Sequence, residues 1–140
     1  MKTYFKQFIS EVKNYSVIIE DDGKVAYAYL LRDEQIVADV WLYNQQDSPR
    51  EIKWIESEMP FLNPIPYIKD NMFMPEPICN DNEVGIIWHN QKVIEADIYI
   101  RGNLLAILKE ACKPSFSSLV KIDGPLAKTL PSVERKDAAI

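Results

Sequence analysis

Glycine is scarce in this chain, and its four copies, Gly23, Gly85, Gly102 and Gly124, stand far apart. A loop that cradles phosphate needs several glycines within a few residues, so nucleotide binding of that kind is excluded. Histidine occurs once, as His89, and cysteine twice, as Cys79 and Cys112. Neither cysteine sits in a nucleophile motif, and there is no CxxC, HExxH or EF-hand run to hold a metal. Two cysteines in 140 residues fit a reducing compartment, with a bond between them left open. Basic residues are also in short supply. Sixteen Lys and Arg against 21 Asp and Glu give a net charge of −5. That balance argues against nucleic acid or an anionic membrane as partner, since phosphate binding needs clustered bases. No apolar run approaches the roughly 18 residues of a membrane span. The start, MKTYFKQFISEVKN, is too polar for a signal peptide, so a cytoplasmic, bacterial-type protein is expected.

What is present is a globular composition, 47% apolar and 26% charged, in a length that suits one domain over residues 1–140. The organising stretch runs from Tyr15 to Tyr43. Its three runs, YSVIIE, KVAYAYLL and QIVADVWLY, are crowded with β-branched and aromatic residues. The turn formers Asp21-Asp22-Gly23 and the polar Arg32-Asp33-Glu34 separate them, which predicts an antiparallel meander over 15–43. Alternation in the third run assigns Ile36, Ala38, Val40 and Leu42 to the core. Val37, Asp39, Trp41 and Tyr43 fall on the other face.

Around the meander, Phe5, Phe8, Ile9 and Val12 lie at helical spacing and predict an amphipathic helix within 1–14, with Phe5 and Phe8 as core. Residues 44–82 hold six of the nine prolines and read as an ordered, stiffened segment that packs over a sheet face. Asp47-Ser48-Pro49 resembles a helix start, with a turn or two over Arg50–Ile55. Strand signals return over 83–112. EVGIIWH and VIEADIYI form a hairpin, Arg101-Gly102 is a two-residue turn, and NLLAILKEA reads as a last strand, with a helix a close alternative because LLAILKEA has good helix formers. In the second of these, Ile94, Ala96, Ile98 and Ile100 are inward, and Glu95, Asp97, Tyr99 and Arg101 outward. Over 113–140, Ser115 is placed to cap a short helix, Pro125 to Leu130 reads as a second, and a polar tail follows. The predicted fold is therefore α+β: a mostly antiparallel sheet of five to six strands with an N-terminal helix and short C-terminal helices.

No catalytic set emerges. His89 reads as an exposed strand-end residue, and Asp81, Glu83, Cys79 and His89 lack the spacing of a metal site. The chain is read as no enzyme, with no metal and no cofactor. The mixed faces instead suggest a binding surface. Asp21, Asp22, Asp39, Trp41, Tyr43, Glu95, Asp97 and Tyr99 combine aromatic anchors with acids that would steer a basic protein partner. The competing reading buries Trp41 and Tyr29 in a second core layer and leaves Glu95 and Asp97 on a solvated strand face. A different class of function is a small-molecule pocket between sheet and proline segment, lined by Trp54, Phe61, Tyr67, Met72 and Phe73.

In size, acidity, and strands and aromatics without an active site, the chain resembles the immunity proteins of bacterial toxin systems, including contact-dependent inhibition and polymorphic-toxin types. The tail, Arg101-Gly102 through Lys113-Pro114-Ser115 to Asp123-Gly124-Pro125-Leu126-Ala127-Lys128, also resembles a segment of small bacterial proteins. The resemblance implies a protein that binds a cognate toxin domain, often a basic nuclease, and masks its catalytic site. It implies no individual positions.

Overall fold

The computed structural model describes residues 2–11, 14–70 and 74–131. Nine strands account for its regular structure: β1 Tyr4–Ile9, β2 Tyr15–Asp21, β3 Val25–Arg32, β4 Gln35–Asn44, β5 Val84–Asn90, β6 Ile94–Ile100, β7 Asn103–Lys109, β8 Phe116–Ser117 and β9 Lys128–Thr129. They form two sheets, ordered β1-β2-β3-β4 and β5-β6-β7-β8-β9, antiparallel throughout except for the β8–β9 pair. β3 and β4 of the first sheet meet β7 and β8 of the second. Val17, Ile19, Ala28, Leu30 and Val40 join Ala96, Ile98, Ala106 and Leu108 in one core, every one of them fully buried.

The α+β expectation is overturned. Among the described residues there is no α-helix, and helical structure is confined to 3-10 turns at Glu56–Glu58, Ile65–Tyr67 and Asp81–Glu83. The expected N-terminal helix is β1, whose burial alternates residue by residue as it pairs with β2. Phe5, Phe8 and Ile9 suit a helical stripe, but YFKQFI also suits a strand, and the open edge of β2 offers backbone hydrogen bonds to a strand alone. Phe8 reaches the core, while Phe5 (64% exposed) and Ile9 (80%) face solvent. Val12 lies outside the described residues. At the C-terminal end, the two expected helices are replaced by β8 and β9. The Ser115 hydroxyl caps no helix. It accepts from the Lys109 amide at 3.1 Å and donates to the Cys112 carbonyl at 2.8 Å, closing a turn. Arg50–Ile55 forms no helical turn.

Two bulges decide which way β4 faces. Leu30 pairs with Ala38 but Leu31 with Ile36, so Val37 has no opposite residue; likewise Tyr27 pairs with Trp41 but Ala26 with Tyr43, leaving Leu42 over. Each extra residue inverts the alternation. Ile36 turns outward (47% exposed) and Tyr43 inward (1%), the reverse of their sequence assignment. The hairpin turns are tight. Asp33 and Glu34 both take positive φ (51° and 67°), as do Arg101 and Gly102 (50° and 81°), the backbone of a type I′ turn.

The proline segment packs down through a few specific bonds. Ile68 bridges Val120, with the Lys69 amide donating to Leu119 and the Lys121 amide to Tyr67. Gly124 lies against the Tyr67 ring, so closely that a methyl group there would meet it at 2.7 Å. The strongest anchor is Asn44, at the end of β4. Its Oδ1 accepts from Trp41 Nε1 and the Asn63 amide, both at 2.9 Å. Its Nδ2 donates to Ser48 Oγ and the Asn63 carbonyl, both at 3.0 Å. Asn44 and Asn63 are each 2% exposed, so this amide stands in for water. On the opposite margin, Asp81 accepts from the Tyr4 hydroxyl at 2.8 Å and pairs with Lys6 at 3.3 Å, tying β1 to the start of β5.

Asn44→Ala is expected to cost on the order of 2–4 kcal/mol, because each buried polar group left without a partner costs roughly 1–3 kcal/mol. Urea unfolding monitored by Trp fluorescence measures this, and a loss below about 1 kcal/mol would show that the loop is held by apolar contact alone.

Candidate functional site

The eight residues singled out from sequence do not form one patch. Tyr43 and Asp21 meet inside the fold, where the Tyr43 hydroxyl donates to Asp21 Oδ2 at 2.9 Å and Asp21 Oδ1 accepts from the Gly23 amide at 2.9 Å. Burial, followed by the Asp21 charge, raises the Tyr43 hydroxyl well above its usual range. Asp22 shapes the β2–β3 turn, its Oδ1 accepting from the Lys24 and Val25 amides. Glu95, Asp97 and Tyr99 lie on the outer face of the second sheet, opposite the face that carries Asp39 and Trp41. Asp97 is fully buried, and its Oδ2 accepts from His89 Nε2 at 2.8 Å. The His89 side chain is itself only 10% exposed, so the exposed strand-end reading is corrected. Ile87 and Ile107, paired to either side of Asp97 on its own face, help to shut out water.

The outer face of the first sheet is where aromatic and acidic side chains gather accessibly. The strand registers place three rows there: Ile9–Ser16–Leu31–Ile36, Gln7–Ile18–Tyr29–Asp39 and Phe5–Glu20–Tyr27–Trp41. The β4 end of this face is covered. Trp41 (2% exposed) lies under Ile68 and Leu119, and the Tyr27 hydroxyl donates to the Phe61 carbonyl at 2.7 Å. The β1 end is open, with Phe5 and Ile9 exposed, and Ile36 is exposed at the start of β4, away from that cover. Between the two lies a cleft of about 310 Å³, floored by Tyr27, Tyr29 and Asp39 and walled by Met59, Pro60, Phe61, Pro125 and Leu126.

The electrostatics of the cleft are one-sided. Burial raises the Tyr27 hydroxyl, and Tyr29, Asp39 and Asp22 raise it further; Tyr29 is raised by burial and then by Glu20, Asp39 and Asp22. Burial also lifts the Asp39 carboxyl above the ordinary carboxylate range, a shift that Lys113 opposes. Among the described residues, no hydrogen bond or ion pair reaches that carboxylate. Sequence reading paired Tyr27 and Tyr29 on one strand face but missed Glu20 and Phe5. Phe5 suits a helical stripe as well as a strand, and Glu20 ends an otherwise apolar run.

Elsewhere, Trp54 stands edge-on to Phe61 at 5.2 Å and lies 6.4 Å from Tyr67, so three of the five expected pocket residues do cluster. Met72 and Phe73 lie outside the described residues. Beside this cluster is a cavity of about 400 Å³ lined by Lys24, Arg50, Lys53, Phe61 and Leu62, among others. Cys79 and Cys112 are both free thiols. Among the described residues no group of three or more metal-ligating side chains converges, and no helix is long and apolar enough to cross a membrane.

The raised Asp39 sets the sign of a stability effect. Its charged form is disfavoured in the folded state, so the residue contributes least to stability at neutral pH, and the deficit vanishes as pH falls below the unfolded-state value. Asp39→Asn should therefore raise Tm at pH 7, with the gain shrinking towards pH 3; paired thermal melts across that range measure the difference. A variant that melts lower than wild type at pH 7 would contradict the assignment. Comparison of the chain with protein families, curated proteins and solved structures gives no match in any of the three.

Proposed function

We propose that this protein is a cytoplasmic binding and inhibitory module, not an enzyme, and that it covers a basic protein partner with the outer face of its first sheet. The partner class that its resemblance in type suggests is a bacterial toxin domain. One observation carries the reading: an open sheet face on which exposed Phe5, Ile9 and Ile36 surround Glu20, Tyr27, Tyr29 and Asp39. Apolar and aromatic residues supply the contact area that excludes water, and the acids speed encounter with a cationic surface. The net charge of −5 adds a long-range field of the same sign. Masking alone suffices for inhibition, so no reacting group is required.

A second reading rests on the 400 Å³ cavity beside Trp54, Phe61 and Tyr67, whose lining mixes Lys24, Arg50 and Lys53 with Glu51 and Glu58 and would suit a small zwitterionic molecule. A thermal-shift panel of metabolites separates the two, since a pocket ligand at about 100 times its Kd adds roughly 2.7 kcal/mol of stability.

For the first reading, co-expression with a basic toxin domain encoded beside this gene should yield a complex. Its association rate should fall roughly tenfold or more between low and high salt. Ile9→Asp should weaken the complex mainly through faster dissociation, and Glu20→Lys mainly through slower association. A salt-independent on-rate, or no effect of either variant, would count against this face.

A further inference from the structure

The cleft on the proposed docking face is more specific than the face around it. Tyr27 and Tyr29 project from alternate positions of β3 onto one side, their rings 6.4 Å apart and only 17° from parallel. Asp39 pairs with Tyr29 across the sheet, so its carboxylate emerges beside these ring faces. The walls are fixed before anything binds. The Phe61 carbonyl is held by the Tyr27 hydroxyl at 2.7 Å, and the Leu126 carbonyl by the Trp41 amide at 3.0 Å. Pro60 and Pro125 stiffen both walls, so little ordering remains to be done on binding. In this setting Asp39 is an anomaly. A carboxylate is half-buried among aromatic and apolar side chains, and no described residue forms an ion pair or hydrogen bond with it. Two arginines pair with carboxylates elsewhere, Arg32 with Glu110 and Arg101 with Glu83. Lys113 is close enough for its field to reach Asp39 but forms no ion pair with it. A neutral side chain would suit the fold better, which points to a role outside folding.

We propose that this cleft is a slot for a single arginine side chain presented by the partner protein, with the guanidinium paired to Asp39 and laid against the Tyr27 and Tyr29 rings. A guanidinium is planar and weakly hydrated. It stacks on aromatic faces while its fork of donors engages a carboxylate, whereas an ammonium keeps its water more tightly. A volume of about 310 Å³ is enough for one long side chain. The open apolar margin at Phe5 and Ile9 would then meet the surface from which that arginine projects. The inference rests on the docking face proposed above and adds to it the residue that the face reads.

The test uses the whole chain and a defined probe. Nα-acetyl-arginine amide, titrated by amide-resolved NMR, should shift Tyr27, Tyr29, Asp39, Phe61 and Leu126 saturably, at millimolar affinity. The citrulline analogue has the same shape without the charge and should bind at least tenfold more weakly, with the lysine analogue between the two. Asp39→Asn should lose the arginine response by tenfold or more while keeping its dispersed spectrum. Tyr29→Leu, which removes the stacking face and keeps the charge, should lose it in part. Equal binding of arginine and citrulline, shifts that map elsewhere, or an unchanged Asp39→Asn would overturn the slot. The two levels fail separately. A basic partner that binds wild type and Asp39→Asn alike, still salt-sensitive, would keep the docking face and refute the slot. An arginine probe seated in the cleft of a protein that binds no basic partner would do the reverse.

Discussion

The second edge of β4 is the constraint on which the rest of the molecule depends. One edge of that strand pairs with β3, as in any meander. Along the other, the Val37 carbonyl accepts from the Ala111 amide at 2.9 Å and the Asp39 carbonyl from the Ser115 amide at 2.7 Å. The Trp41 amide donates to Leu126 at 3.0 Å. These partners belong to the segment that also carries β8 and β9, so the backbone of one sheet is continued by the chain that completes the other. An unpaired edge is thereby removed and the two sheets are held face to face. The same three bonds fix where Asp39 and Trp41 stand relative to Pro125 and Leu126. The walls of the cleft are thus a by-product of closing the fold.

Polar groups inside the protein are satisfied in pairs and fours, and each such group marks a junction. Asn44 holds the proline segment, Tyr43 and Asp21 join the end of β4 to the end of β2, and His89 and Asp97 join neighbouring strands of the second sheet. Their geometry fixes one arrangement of segments over another, since a shifted register would leave buried donors and acceptors without partners.

Much of this was legible in the chain, and the failures have definite causes. The strands over 15–43 and 83–112 followed from dense β-branched and aromatic runs broken by turn formers. Arg101-Gly102 was read correctly as a two-residue turn because glycine tolerates the φ of 81° found there. β1 was misread because Phe5, Phe8 and Ile9 satisfy both periodicities, and only a neighbouring strand edge decides between them. The bulges at Val37 and Leu42 left no signal in the alternation. One extra residue sent Ile36 outward and another brought Tyr43, one of the eight expected binding residues, inward. Ser115 and Pro125 are good helix starters by type, yet the residues after them found strand partners in β7 and in one another. Such decisions are made by tertiary pairing, which local composition does not encode.

The bond between Asp81 and β1 gives the sandwich two unlike margins. On the β4 side the sheets are joined by backbone hydrogen bonds, which do not titrate; on the β1 side the join is a carboxylate held by Tyr4 and Lys6. The Tyr4 hydroxyl, then Lys6, holds Asp81 below the ordinary carboxylate range, and the Cys79 and Asn80 amides with Arg101 do the same for Glu83 next to it. Both groups lend stability that is present above the unfolded-state pKa and lost as pH falls through the lowered values. The molecule is thus built like a book with a spine of backbone hydrogen bonds and a clasp that acid undoes, so only pH below the ordinary carboxylate range loosens the fore-edge while the binding still holds.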